Sequence, residues 1–147
     1  MQQSLLKVKK LRPEAKLPTK GSEGAAAFDV YANESRELWG GRFDRISTGI
    51  ALEIPAGHYV EVHSRSGLAY DFGVIAFPGV IDSDYRGELF ILLSSLIDED
   101  DDDNYLVQRG DRIAQIVLKK LVPTRIEEVA ELSETKRGTN GFGFTGR

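Results

Sequence analysis

Short apolar runs punctuated by glycine, proline, asparagine and aspartate fill the chain, and long helical periodicity is almost absent. The pattern predicts strands over Leu5–Lys9, Phe28–Tyr31, Arg45–Ser47, Gly49–Ile54, Tyr59–His63, Val74–Ala76, Glu88–Leu96, Tyr105–Val107, Ile113–Leu121 and Glu127–Val129. Tyr59–His63 alternates, with Val60 and Val62 on one face and Tyr59, Glu61 and His63 on the other. Glu88–Leu96 is apolar on both faces and is expected to be a buried central strand. Turns are expected at Pro55–Gly57, Pro78–Gly79 and Gly110–Asp111, and one short helix near Ser66–Tyr70. Many short strands in one small domain predict an all-β fold, a β-sandwich or jelly roll.

Composition narrows the class. A chain of 147 residues is one ordinary domain, and 41% apolar with 29% charged residues suits a folded one. Asp98–Asp103 reads DEDDDD; these six acids outweigh the whole net charge of −4 and leave the remainder at +2. The acidic total argues against a nucleic-acid coat, although it describes one segment only. No cysteine means no disulfide, thiol nucleophile or cysteine zinc site. The start MQQSLLKVKKLRP lacks a signal-peptide core, and no window approaches 18 apolar residues. The expectation is a cytoplasmic protein with no membrane partner.

Several motif matches fail on context. Gly141, Gly143 and Gly146 spell GxGxxG, but a dinucleotide fingerprint opens a helix, and only Arg147 follows. Glu128 and Glu131 spell ExxE without the facing helix that a dimetal centre requires. His58 and His63 are five apart in a strand, so they point to opposite faces. The acidic run reads as a solvated, self-repelling loop in preference to a divalent-cation site.

Four segments carry more chemistry, and each has a plainer reading. Ser64-Arg65-Ser66-Gly67 offers a guanidinium, hydroxyls and an amide at a helix start, which suits phosphate, or is an ordinary turn. Gly79–Gly87 holds Asp82, Asp84 and Tyr85 between glycines, as a tight hairpin approaching a flat ligand would, or as a decorated turn. One of those carboxylates could activate water. Gln115 lies opposite Ala114 and Ile116, where a glutamine is usually a core-edge hydrogen-bonding residue. Asp29 is an acid inside an apolar strand, where most acids face solvent. Residues 136–147, KRGTNGFGFTGR, suit a disordered tail by composition, or an arm that orders over an anionic ligand.

Taken in order, the segments resemble the trimeric dUTPase family. AAAFDVYA (Ala25–Ala32), SRSGLA (Ser64–Ala69), GVIDSDYRGE (Gly79–Glu88), RGDRIAQIVL (Arg109–Leu118) and RGTNGFGFTG (Arg137–Gly146) resemble its five motifs in register across nearly the whole chain. The resemblance implies a jelly-roll-like subunit over residues 1–135, with a flexible C-terminal arm over 136–147 closing on a neighbour's site. It also implies a homotrimer that hydrolyses dUTP to dUMP and pyrophosphate by water attack on the α-phosphate, with Mg2+ on the triphosphate. Such an activity limits uracil in DNA and supplies dUMP for dTMP synthesis.

Residue by residue, the resemblance makes Asp82 the general base. Tyr85 packs on deoxyribose, and the hairpin from Gly79 through Ile81 to Leu89 reads uracil. Arg65, Ser66, Gly67 and Gln115 contact phosphates, and Asp29 supports the magnesium–water shell. From the arm, Arg137 reaches the γ-phosphate, Phe142 stacks on uracil, and Gly143 and Thr145 help bind phosphates.

Three positions depart from the family pattern: Ala27 and Phe144 replace the usual glycine and serine, and Ser64 the usual proline. The related dCTP deaminases carry a catalytic glutamate about ten residues after the position of Asp82, where this chain has Leu92. A regulatory, protein-binding trimer is the alternative from a different class. In it the acidic run 98–103 is a docking element for an unknown protein partner.

Overall fold

The computed structural model describes residues 2–97, 104–143 and 145–146. Among these residues, ten strands and one helix follow in order: β1 (Lys7–Lys10), β2 (Phe28–Tyr31), β3 (Arg36–Leu38), β4 (Asp44–Glu53), β5 (His58–His63), α1 (Ser66–Phe72), β6 (Val74–Ala76), β7 (Gly79–Ile81), β8 (Glu88–Ser95), β9 (Tyr105–Val107) and β10 (Arg112–Lys120). They form two four-stranded sheets, β1-β4-β8-β6 and β2-β10-β5-β7, with a small β3-β9 ribbon. Every ladder is antiparallel. This is the all-β jelly-roll class the pattern predicts. No helix among the described residues is long and apolar enough to cross a membrane.

Period-2 alternation puts the apolar residues of both sheets into one core. Val30, Val60, Val62, Ala114 and Ile116 come from one sheet, and Ile46, Ile50, Leu89, Ile91 and Leu93 from the other; Ile113 joins them at an irregularity in β10 between Arg112 and Ala114. Each large aliphatic side chain buried this way contributes roughly 1.5–3 kcal/mol. β8 sits inside its sheet between β4 and β6, as expected, although Leu92 remains 37% exposed on the outer face.

Several expectations need correcting. The two strands expected at Arg45–Ser47 and Gly49–Ile54 are one strand, β4. Gly49 adopts φ 69° in its middle, and the irregularity is absorbed as a register shift against β8 between Ser47 and Ala51. A Cβ at Gly49 would lie 2.8 Å from the Asn33 side chain and 2.9 Å from Ala15 Cβ, so glycine is required there. No strand forms at Glu127–Val129, where two adjacent carboxylates break the alternation and Ile126 is 96% exposed. β3 and β7 were not anticipated. β3 is a three-residue, mostly polar edge, and β7 begins at a glycine that reads as part of a turn. The acidic run 98–103, Phe144 and Arg147 lie outside the described residues.

Glu88 ties the end of the third motif to the N-terminal half. Its carboxylate accepts hydrogen bonds from Ser47 Oγ at 2.9 Å and the Gly49 amide at 3.0 Å, and it pairs with Arg12. Burial pushes this carboxyl up. The hydrogen bonds from Arg12, Ser47 and Gly49, with the Arg12 charge, outweigh burial and hold it below the usual carboxylate range. A carboxyl depressed in the folded state stabilises above its unfolded value of about 4.3, and that contribution is lost as pH falls through the folded value. Glu88→Gln is therefore expected to cost about 1–2 kcal/mol at neutral pH. The gap to wild type should close below about pH 4. Urea unfolding at pH 7 and pH 3 checks this; an equal gap at both values contradicts it.

Candidate functional site

β10 is paired along both edges, which fixes what surrounds its outer face. Gln115 stands opposite Asp29 of β2 on one side and His63 of β5 on the other. The neighbours Ala114 and Ile116 are buried in the core, so Gln115 points outward as expected. Arg65 follows two residues after the end of β5 and folds back across this row. Its Nε lies 3.2 Å from Asp29 Oδ1, without hydrogen-bond alignment, and its Nη1 donates to the Arg112 carbonyl at 3.2 Å. Arg112 Nη1 lies 3.9 Å from Asp29 Oδ2.

Asp29 is thus not a solvent-facing strand acid. It is 8% exposed and balanced by two guanidiniums. Arg112 was missed in the sequence, although it stands three residues before Gln115 in the same motif. Ser66 opens α1 and Gly67 lies in its first turn, with nothing within 4 Å of where a Cβ would stand. Ser64, in the usual proline position, donates through Oγ to the Ala76 carbonyl at 3.1 Å and accepts from the Ala76 amide at 2.8 Å. Arg65, Ser66, Gly67, Gln115 and Asp29 therefore share one region of the sheet β2-β10-β5-β7.

The third motif lies elsewhere, and it is not the expected hairpin. β7 pairs with β5, whereas β8 pairs with β4 and β6, so residues 82–87 cross from one sheet to the other. Asp82, just past β7, is exposed, and its carbonyl accepts from the Tyr85 amide at 3.2 Å. Tyr85 Oη donates to the Glu88 carbonyl at 2.8 Å. A Cβ at Gly87 would fall 2.5 Å from that Oη, which explains the glycine. Gly79 and Ile81 are half-buried on β7. The Leu89 side chain is 2% exposed in the core, so only its main chain is available to a ligand.

Among the described residues, no hydrogen bond or ion pair joins the two groups. Ile81 pairs with Val60, and Asp82 continues toward the start of β5, whereas Arg65 lies beyond its end. Along β5, the three residues from Val60 to His63, at about 3.3 Å each, set the two groups roughly 10 Å apart in the strand direction. The described residues of the C-terminal arm bond to neither group. Arg137 Nε donates to the Asn140 carbonyl at 2.8 Å, and the Gly138 amide donates to Thr135 Oγ1 at 3.1 Å. The Gly146 amide donates to the Gly143 carbonyl at 2.8 Å, and Thr145 is exposed. Phe142 is fully exposed at φ 51°, a left-handed backbone conformation that is uncommon for an aromatic residue.

No group of three or more His, Cys, Asp or Glu side chains converges among the described residues. A lone carboxylate between two arginines does not make a protein cage for a divalent cation. It does fit a magnesium ion carried mainly by a ligand's phosphates, with Asp29 reaching it through water.

The dUTPase family model matches residues 13–146. The deoxyuridine 5'-triphosphate nucleotidohydrolase of Paramecium bursaria Chlorella virus 1 is 44% identical, over 97% of this chain and 99% of its own. The enzyme of the same name from Candida albicans is 42% identical, over 97% of this chain and 88% of its own. The Staphylococcus bacteriophage 80alpha dUTPase, solved with dUPNHPP, superposes with a TM-score of 0.88 at 26% identity, covering 99% of this chain and all of the other.

The arginine-flanked Asp29 has a measurable consequence. Asp29→Ala leaves Arg65 and Arg112 facing each other without a counter-ion. The expected loss is about 2 kcal/mol, less than for a fully buried pair because both guanidiniums keep some solvent contact. Thermal unfolding should recover part of the loss on adding inorganic pyrophosphate; no recovery would mean that the cluster does not accept such an anion.

Proposed function

We infer that this chain, which belongs to the dUTPase family, hydrolyses dUTP to dUMP and pyrophosphate. The observation that carries the reading is the convergence of Arg65 and Arg112 on Asp29 beside Gln115. Paired guanidiniums and a neutral amide donor are what a triphosphate needs: charge neutralisation plus fixed hydrogen bonds. Ser66 and the amide of Gly67 extend the same surface.

In this reading Asp82 orients a water and takes its proton as the water oxygen bonds to the α-phosphorus. The bond to the β-phosphate bridging oxygen breaks, and pyrophosphate leaves. Tyr85, braced on the Glu88 carbonyl, packs on the deoxyribose and excludes a 2′-hydroxyl. Main-chain groups from Gly79 to Leu89 read uracil; a cytosine amine would leave them unpaired, which rejects strongly. Asp29 would support the water shell of a magnesium ion carried on the triphosphate, which would supply neutralisation of phosphate charge. The product dUMP can feed dTMP synthesis, and removal of dUTP keeps uracil out of DNA.

The separation of Asp82 from Arg65 supports a site built from more than one copy. We read the protein as a homotrimer, with the arm of residues 136–147 closing over a neighbour's site. There Arg137, Phe142, Gly143 and Thr145 would cover phosphates and base. The exposed Leu121, Val122, Ile126 and Leu132 before the arm suit burial against another subunit. A purely regulatory, non-catalytic module is not favoured, since the relatives aligned over 97% of the chain are named as hydrolases.

Pyrophosphate release from dUTP, dCTP, dTTP and UTP tests the reaction. Turnover is expected for dUTP alone, and Asp82→Asn should lose roughly 10²–10⁴-fold in kcat. Refolding a mixture of inactive Asp82→Asn and inactive Arg65→Ala chains tests the composite site. The refolded equimolar mixture should regain about a quarter of wild-type activity, because in each mixed trimer one site can draw both intact residues from different copies. No recovery would place both residues in the same chain's site. Removing residues 137–147 should abolish most activity while the trimer stays folded; full activity would refute arm closure.

A further inference from the structure

The outer face that carries Gln115 also carries a group with no assigned role. His63 is Gln115's partner on β5, with Asp29 as Gln115's partner on the other side. Directly opposed residues on one face of a sheet hold their Cβ atoms about 4.5–5.5 Å apart, so whatever Gln115 contacts lies within reach of the imidazole. His63 is also two residues before Arg65, and its side chain is 49% exposed.

The hydrogen bonds of His63 decide its chemistry. Nε2 lies 2.9 Å from Glu61 Oε2, and the other oxygen of Glu61 accepts from Tyr59 Oη at 3.0 Å. A carboxylate only accepts, so Nε2 carries the proton of the neutral ring. Nδ1 is then a bare acceptor, which repels a phosphate oxygen. Only the imidazolium offers an Nδ1–H. The hydrogen bond from His63, then that from Tyr59, holds the Glu61 carboxyl below its usual range, so Glu61 stays an anion that favours the charged ring.

The surrounding charges are few. Across from β5, β10 presents Lys119 near Glu61, while Gln115 and Val117 are uncharged. β7 presents only Val80 opposite Glu61 and carries no titratable group. Asp29 stands beyond Gln115 and is occupied by Arg65 and Arg112.

We propose that His63 is a phosphate-binding residue of this site: its imidazolium, held through Nε2 by Glu61, donates Nδ1–H to the triphosphate beside Gln115 and Arg65. The proposal rests on the reading of the Gln115 face as the phosphate surface. Binding then depends on the ring carrying its second proton. Binding tightens as His63 gains its proton and weakens as the proton leaves. The ionisation of dUTP itself is common to every variant and cancels in comparisons between them.

The experiment is KM and kcat for dUTP from pH 5.5 to 8.5, on the folded trimer with magnesium. Wild type should show KM rising about fivefold more across this range than His63→Gln does, with the kcat profiles parallel. Glu61→Gln should raise KM at pH 5.5, because the imidazolium loses the anion that holds its Nε2. Identical KM profiles for wild type and His63→Gln would overturn the proposal, as would an unchanged KM at pH 5.5 in Glu61→Gln. Gln115→Ala separates the two levels. A raised KM at every pH keeps the phosphate-surface reading, so failure of the His63 variant then counts against His63 alone. If Gln115→Ala leaves KM unchanged, the underlying reading fails and His63 falls with it. As a direct signature, the His63 ring resonances in NMR should shift on adding dUpNHpp at pH 6 and barely move at pH 8.5.

Discussion

The double pairing of β10 is the constraint from which the candidate site follows. A strand bonded on both edges cannot slip by one residue without turning Ala114 and Ile116 out of the core and Gln115 into it. Because slippage is so costly, Asp29, Gln115 and His63 are held in a row by the core rather than by contacts of their own. Arg65 then needs only a short return from the end of β5 to reach Asp29. The polar surface inherits its precision from the apolar one beneath it. A ligand arriving at this face meets groups whose spacing is already set.

A second anchor lies at Glu88, where the third motif meets β4. Serine hydroxyl, glycine amide and arginine all converge on one carboxylate. The amide that reaches it belongs to Gly49, whose left-handed conformation turns the backbone at that point. The crossover from β7 to β8 is thus tethered at its far end, and Tyr85 is braced on the carbonyl of the same residue. The position of Asp82 depends on this tether, although Asp82 makes no contact with Glu88 itself.

Much of this was legible in the sequence because period-2 alternation and turn residues are local signals. β2, β6 and β9 begin and end where the pattern places them, and α1 runs two residues past its expected end to the left-handed Gly73. What failed was non-local. Whether residues 79–89 close a hairpin or cross between sheets depends on partners far away in the chain, and glycines suit either. Gly49 looked like a strand break because its tolerance of positive φ is invisible until the partner strand shifts register. Glu127–Val129 has some strand composition but pairs with no strand among the described residues. Among site residues, Gln115, Arg65 and Asp29 could be found by motif. Their mutual contact, and the part played by Arg112, required the fold.

Ser64 shows how rigidity can be relocated. A proline at that position would restrict the backbone in folded and unfolded chains alike. Serine leaves the unfolded chain free and fixes the loop only once both polar groups of Ala76 are in place. The stiffness of the Arg65 loop is therefore conditional on β6. Disturbing Ala76 or its pairing with β8 would be felt at Arg65, eleven residues earlier in the chain, as a loosening of the loop that carries it.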